Sequence, residues 1–260
     1  MRSSQIAAQL YTVRDTCQDA AGLAATLRRI RAIGYGAVQV SGVGPIPAVE
    51  IRRICDDAGV VICATHESGA SICDTPEQVV DRLRILGCTA TAYPYPHLPI
   101  TTLEQVKVLA ERLDHAGAVL RRAGQTLCYH NHDHEFTRVA GKTVLDWLFD
   151  LTDPAHLAGE PDVYWVQKGG GDPVRWCERL SGRLPLLHLK EYACRFTAEG
   201  ALQSGQIAEV GSGNLDWPRI VHAAEVAGCR WFIVEQDTCP ADPVDSLKRS
   251  WDYLLTLIQP

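Results

Sequence analysis

At 260 residues with 46% hydrophobic content, the chain is long enough for one large core or two small ones, and the first is common for an α/β barrel. A formal net charge of −6 and a pI near 5.8 supply no basic footprint for a phosphate backbone or an anionic bilayer, so nucleic acid and membrane are poor partners and a small molecule of little charge fits better. The ten cysteines are scattered without a CxxC pair, and Cys63, Cys88 and Cys128 lie inside apolar runs, which reads as reduced core residues rather than a disulfide framework. The start Met1-Arg2-Ser3-Ser4-Gln5 runs straight into Ile6-Ala7-Ala8 with no apolar stretch long enough for a signal peptide or a span, so a cytoplasmic location is expected.

Short apolar runs alternate with helical patterns. The expected elements are a strand at Ile6–Leu10, a helix at Leu23–Ile33, a strand at Ala37–Val40, a helix at Ala48–Ala58, a strand at Val60–Thr65 and a helix at Pro76–Leu86. Then come Cys88–Tyr93, the helix Leu103–Arg122, Thr126–His130, the helix Val144–Leu151 and a weaker strand around Asp162–Val166. The remainder reads as Pro173–Leu180, Leu184–Leu189, Pro218–Ala227, Trp231–Glu235 and Pro243–Leu257. Gly34, Gly59, Gly87 and Gly124 punctuate the helix ends. Eight strands separated by helices close most simply into a single (β/α)8 TIM barrel spanning residues 1–260, since Gln9-Leu10-Tyr11-Thr12-Val13-Arg14 lacks the glycines of a nucleotide-binding turn.

Such a barrel places function at the C-terminal ends of its strands, where Gln9, Tyr11, Gln39, His66, Glu67, Tyr93, His130, His132, Asp162, Trp165, Gln167, His188, Lys190, Glu235 and Asp237 collect. The densest patch is Tyr129-His130-Asn131-His132-Asp133-His134-Glu135, three imidazoles and two carboxylates within seven residues. Imidazole nitrogen together with carboxylate oxygen makes a Lewis-acid centre for a divalent metal, manganese first, with zinc, cobalt, iron(II) or magnesium as alternatives. Glu235 ends an apolar strand and needs a cation or several donors. Lys190, two residues after His188, would have a lowered pKa near a metal and carry a proton, or else form a salt bridge to Glu235 or Asp162. The glycines of Glu209-Val210-Gly211-Ser212-Gly213-Asn214 read mainly as a lid, with a phosphate cradle as the weaker alternative.

With these residues in place the chain resembles the sugar phosphate isomerase/epimerase superfamily, the xylose isomerase-like TIM barrels that include tagatose epimerases, inosose dehydratases and endonuclease IV. The resemblance runs end to end through Gln9-Leu10-Tyr11-Thr12-Val13-Arg14-Asp15, Ala37-Val38-Gln39-Val40-Ser41-Gly42, Tyr129-His130-Asn131-His132, Asp162-Val163-Tyr164-Trp165-Val166-Gln167, His188-Leu189-Lys190 and Val234-Glu235-Gln236-Asp237. It implies a divalent metal held by a glutamate, an aspartate, a histidine and a glutamate, of which Asp162, His188 and Glu235 look like the last three. His130 stands where the first glutamate is implied, with Glu135 as a rival ligand or substrate contact.

The resemblance implies an isomerase or epimerase of a sugar or sugar derivative, acting by proton abstraction next to a carbonyl, with Glu235 as base and Lys190 or His132 as partner acid. Gln9, Tyr11, His66, Glu135, Trp165 and Gln167 are the expected substrate contacts. A lyase expelling a β-oxygen from a keto-cyclitol or keto-glycoside is the runner-up, and a non-catalytic sugar-binding barrel the third reading. A three-metal phosphodiesterase would need more ligands and a basic groove. The expected partner is a small carbohydrate, and the sequence is compatible with a homo-oligomer.

Overall fold

The computed structural model describes residues 1–258. Strand β1 (Ile6–Gln9) leads through a 3₁₀ segment, Leu10–Thr16, into α1 (Ala20–Ile33); β2 (Ala37–Val40), α2 (Ala48–Asp57), β3 (Val61–His66), α3 (Gly69–Asp74), α4 (Pro76–Leu86), β4 (Ala90–Tyr93), α5 (Leu103–Arg122) and β5 (Thr126–His130) follow. A hairpin of β6 (Arg138–Val139) and β7 (Lys142–Thr143) precedes α6 (Val144–Asp150), β8 (Leu157–Glu160), α7 (Val163–Lys168), α8 (Pro173–Arg179) and β9 (Leu186–Leu189). A second hairpin, β10 (Glu191–Phe196) with β11 (Leu202–Ala208), is followed by α9 (Trp217–Val226), β12 (Trp231–Val234) and α10 (Pro243–Thr256).

Eight strands pair in parallel in the order β8-β5-β4-β3-β2-β1-β12-β9. The ring meets itself through a bridge between Asp162 and His188, where the His188 N–H donates to the Pro161 carbonyl at 3.0 Å. The expected (β/α)8 barrel is therefore the fold. Local sequence explains the helix ends: Thr102 and Gln105 form a reciprocal cap on α5, and Gly87 ends α4 at φ 67°, where a Cβ would also collide with the Arg52 guanidinium. No described helix is long and apolar enough to cross a membrane.

Two cores result. The larger lies between strands and helices, while a separate cluster of Ala7, Ala37, Cys63, Ala64, Ala90, Ala92, Cys128, Ala158, Leu186 and Ile233 fills the lumen. Because alternate strand residues face the same side, the inward residue two positions after Ala7, Ala37, Ala64, Cys128, Ala158, Leu186 and Ile233 is respectively Gln9, Gln39, His66, His130, Glu160, His188 and Glu235. Small apolar side chains thus floor a polar layer at the C-terminal mouth. All ten cysteines are free, and burial pushes the Cys63 and Cys128 thiols well above the usual thiol range.

The sixth barrel strand departs from expectation. It is Leu157–Glu160, and Val163–Lys168 is helix rather than strand. Asp162 accepts hydrogen bonds from the Tyr164 and Trp165 amides at 2.9 and 3.2 Å, which caps and starts α7. The strand ends before Asp162, and the first turn of α7 separates Asp162 from Trp165.

The glycine-bearing loop after β11 binds a carboxylate of its own chain. Glu191, fully buried, accepts from the Gly211 amide at 2.8 Å, the Leu215 amide at 3.1 Å and the Trp217 indole N–H at 2.5 Å. The loop is thereby pinned to the root of β10, which corrects the reading of it as a lid or phosphate cradle. Glu191→Ala orphans three donors at about 1–3 kcal/mol each, so a loss of at least about 3 kcal/mol and a melting temperature lower by roughly 10 °C are expected in a thermal melt. An unchanged melt would show that the loop holds itself.

Candidate metal centre

The polar layer contains a connected set of buried groups. His188 and Glu160 are fully buried, as is Asp162, and His130 and Glu235 are nearly so. His188 places Nδ1 at 3.0 Å from Glu235 Oε2 and 3.9 Å from Asp162 Oδ2. Donor atoms of His130, Asp162, His188 and Glu235 all lie within 4.8 Å of one another. Donors sharing a cation with bonds of about 2.0–2.2 Å can stand no more than twice that apart, so only a small inward movement is needed. His130 Nδ1 is buried without a hydrogen-bond partner, as an unliganded donor would be, and Asp162 Oδ2 has the Lys190 ammonium at 3.0 Å as its ion-pair partner. Two imidazoles and two carboxylates are a donor set that a divalent transition metal accepts, and the residues fit the group.

His130 and His188 both belong also to a second four-residue set, His66, His130, Glu160 and His188. Glu160 was not among the residues singled out from the sequence. Its Oε1 accepts from Gln39 Nε2 at 2.7 Å and its Oε2 faces His66 Nε2 at 2.7 Å. Burial drives this carboxyl upward, but His188 and His66 outweigh it and hold it at about 2. Gln39 accepts through Oε1 from Gln9 Nε2 at 2.8 Å and stands 2.7 Å from His188 Nε2. Gln9 and His66, expected to contact substrate, and Gln39, to which the sequence assigned no role, are thus joined through Glu160, Gln9 by way of Gln39; of the three only His66 also lines the cavity above.

Of the two readings of Lys190, the salt bridge to Glu235 and Asp162 is the one that forms. Only 1% exposed, its ammonium lies 3.0 Å from Asp162 Oδ2, 2.9 Å from Glu235 Oε2 and 3.0 Å from Asp237 Oδ1. Burial works against the charge, but the three carboxylates raise its pKa far above the ordinary lysine value rather than lowering it. Lys190 is consequently a fixed cation and hydrogen-bond donor. Burial raises Glu235 too, yet Lys190 and His188 outweigh it and keep that carboxylate ionised, while in Asp162 burial prevails and the pKa goes up. Burial also keeps His130 neutral, and it pulls His132 down to about 4.

Above the cluster opens a cavity of about 620 Å³. Its floor includes His66, His130, His132, Lys190, Glu235 and Asp237, and its rim includes Tyr11, Arg14 and Tyr95. Arg14 stacks on Tyr11 at 4.3 Å and donates to the Tyr11 and Asp237 carbonyls at 2.9 and 3.2 Å, tying the first loop to the last. Glu135 is elsewhere: fully buried, it accepts from the Tyr129 hydroxyl at 2.9 Å and the His132 amide at 2.8 Å, so it braces the histidine-rich loop instead of facing ligand. Trp165 backs the wall, its ring 5.0 Å from His132, and does not line the cavity. Gln167 is exposed on α7 and away from the cavity, because a helical turn replaces the strand expected there. Tyr93 is a buried wall residue whose hydroxyl meets His97 Nδ1 at 2.7 Å.

A parallel (β/α)8 barrel with buried imidazoles and carboxylates at the C-terminal mouth defines an α/β barrel with a candidate divalent-metal centre. Residues 27–257 match the sequence model of the xylose isomerase-like TIM barrel, and the chain belongs to that family. Curated relatives include the inosose dehydratase of Geobacillus thermodenitrificans, 26% identical over 168 residues that cover 60% of this chain and 56% of the relative, and that of Clostridium tetani, 25% identical with the same coverage. The chain thus matches a little over half the length of these relatives. Among solved structures, a sugar phosphate isomerase/epimerase from Parabacteroides distasonis superposes with a TM-score of 0.82 at 23% identity, covering 98% of this chain and 94% of that one. A xylose isomerase-like barrel protein from Mycobacterium smegmatis in complex with magnesium has a TM-score of 0.73 at 17% identity, with 99% and 98% covered. At these identities the superpositions speak for the fold.

Proposed function

We propose that the chain is a divalent-metal-dependent enzyme that removes a proton next to the carbonyl of a small carbohydrate or cyclitol. The reading is carried by one observation: His130, Asp162, His188 and Glu235, remote in sequence, bring donor atoms within 4.8 Å of one another, and two of them, His130 and Glu235, line the cavity above. At about 620 Å³ the cavity lies in the range of about 300–1,000 Å³ common for small-molecule sites. A divalent cation held there by these four residues would act as a Lewis acid toward the oxygen that gains negative charge.

The remaining work belongs to the protein. Glu235, kept ionised beside Lys190 and His188, accepts the proton, and the electron pair moves into the carbonyl to give an enediolate. The Lys190 ammonium donates toward developing negative charge. Collapse of the enediolate then either returns a proton to carbon, giving an isomer or epimer, or re-forms the carbonyl while the β-oxygen leaves with a proton.

Of these outcomes elimination fits the residues better. Epimerisation between opposite faces calls for a second base across the ring, yet His130 occupies the strand-five position, Glu135 is committed to Tyr129 and the His132 amide, and Glu160 to Gln39 and His66, which leaves on the cavity floor the His132 imidazole, a weak base because burial pulls it down to about 4. Elimination requires only one base, which can hand the abstracted proton on to the departing β-oxygen on the same side, as Glu235 can while the Lys190 ammonium stays charged and donates a hydrogen bond. The inosose dehydratases among the curated relatives support that reading. Incubation of the metal-loaded protein with a keto-cyclitol and a panel of ketohexoses in deuterated water separates the outcomes by mass spectrometry and NMR. A dehydrated product is expected. An isomer carrying solvent deuterium would move the assignment to isomerase or epimerase, and recovery of every substrate unlabelled would overturn carbon-acid chemistry.

A further inference from the structure

The fully buried Glu160 has no place in the proton transfer proposed above, and neither do the buried amides of Gln9 and Gln39. Their hydrogen bonds form one chain whose direction is determined. An ionised carboxylate only accepts, so the Gln39 group 2.7 Å from Glu160 Oε1 is its NH₂, and its other end, Oε1, can only accept. Gln9 Nε2 accordingly donates to that oxygen at 2.8 Å, leaving Gln9 Oε1 toward the Tyr11 amide at 3.4 Å. The atom of His188 that meets the same oxygen at 2.7 Å, Nε2, must then carry hydrogen. In a neutral imidazole that leaves the lone pair on Nδ1, aimed between Glu235 Oε2 at 3.0 Å and Asp162 Oδ2 at 3.9 Å. At 3.0 Å from Glu235 Oε2, Nδ1 either carries a proton of its own and donates it there, which makes the ring an imidazolium, or offers its lone pair to a cation lying between the two carboxylates.

We propose that Glu160 and Gln39 are positioning residues: through the Glu160–Gln39–His188 relay they fix the tautomer in which His188 offers Nδ1 to a divalent cation, and so decide the affinity for that cation. The second four-residue set is on this account a support for the first, because Glu160 spends both oxygens on Gln39 and His66. Partners that orient a ligating histidine typically contribute about 10–100-fold to metal affinity. The inference rests on the proposed role of His188 as a ligand.

The test is titration of metal-free protein with Co²⁺, read by absorption, for wild type, Gln39→Leu, Gln39→Glu and the swap Gln39→Glu/Glu160→Gln. Gln39→Leu removes the acceptor and should weaken Co²⁺ binding about 10–100-fold. Gln39→Glu sets two carboxylates against each other and should do likewise, whereas the swap restores one amide and one carboxylate with every donor matched and should recover most of the affinity. In Zn²⁺-loaded, histidine-labelled protein, the Nε2–H signal of His188 should be present in wild type and the swap and absent in Gln39→Leu. Wild-type Co²⁺ affinity in Gln39→Leu, or a swap no better than Gln39→Glu, would overturn the relay. The ligand reading fails separately: it falls if His188→Ala binds Co²⁺ as wild type does.

Discussion

Replacing His188 with alanine is expected to remove metal and turnover together. Its ring touches Glu235 and Gln39 and lies within 4 Å of Glu160 and Asp162, so it links the carboxylates of the floor to the amide network beneath. Deleting one preorganised electrostatic group from a reaction centre typically costs about 10²–10³ in kcat, and loss of a cation along with its ligand should exceed the upper figure. Elemental analysis of protein purified without a chelating tag, beside product formation, reads both effects. Truncating a fully buried ring also leaves Gln39 Oε1 and Glu235 short of a partner, at about 1–3 kcal/mol each. Circular dichroism should accompany the assay, and His188→Asn, which keeps a polar side chain in the gap, serves if the alanine variant unfolds. A variant with wild-type metal content and turnover would remove the centre from the chemistry. Unchanged carbohydrate affinity with no metal in either protein would instead match a non-catalytic binding barrel.

The barrel was legible because each unit carries local punctuation and period. The limits of Ala37–Val40, Pro76–Leu86, Leu103–Arg122 and Thr126–His130 agree with expectation, and His130, Asp162, His188 and Glu235 meet at one mouth. The sixth strand was missed for a propensity reason. Leu157-Ala158-Gly159-Glu160 has no β-branched or aromatic residue, while Val163-Tyr164-Trp165-Val166 has four in a row and reads as strand. Pro161 carried the corrective signal, since proline cannot donate within a central strand, and Asp162 directly after it is a helix cap. Ending the strand before Pro161 would have put Glu160 on the functional face. The roles of Gln9 and Gln39 were not recoverable in that way, because a buried carboxylate's choice of partner depends on side chains brought together by the closed ring: Glu160 meets Gln39 across 121 positions of sequence. For Lys190 the ion pair with Glu235 or Asp162 was legible as an alternative, whereas its third carboxylate, Asp237, follows it by more than forty residues and was not.

Lys190→Met is expected to have the largest effect on stability. The ammonium neutralises Asp162, Glu235 and Asp237 in a site that solvent barely reaches, and breaking a buried ion pair from one side costs about 3–5 kcal/mol because the other charges stay behind. The sign of the pH dependence follows from the groups left. Burial already raises Asp162, Glu235 raises it further, and Lys190 is the group that lowers it most. Without the ammonium its folded-state pKa rises further above the unfolded value, and a carboxyl raised in this way contributes stability that is present at low pH and lost as pH increases through the folded value. Chelator-treated Lys190→Met should therefore melt closer to wild type near pH 5 than near pH 8, in denaturation curves recorded at about those two values. A divalent cation should compensate for part of the loss, because it brings positive charge to two of the same carboxylates. Added Mn²⁺ is expected to raise the melting temperature of the variant by more than that of wild type. Turnover should stay depressed by roughly 10²–10³-fold, the contribution of one preorganised electrostatic donor. Equal stabilisation of the two proteins by Mn²⁺ would show that the cation does not sit among Asp162 and Glu235, and full turnover in the variant would assign the donor's role to another group.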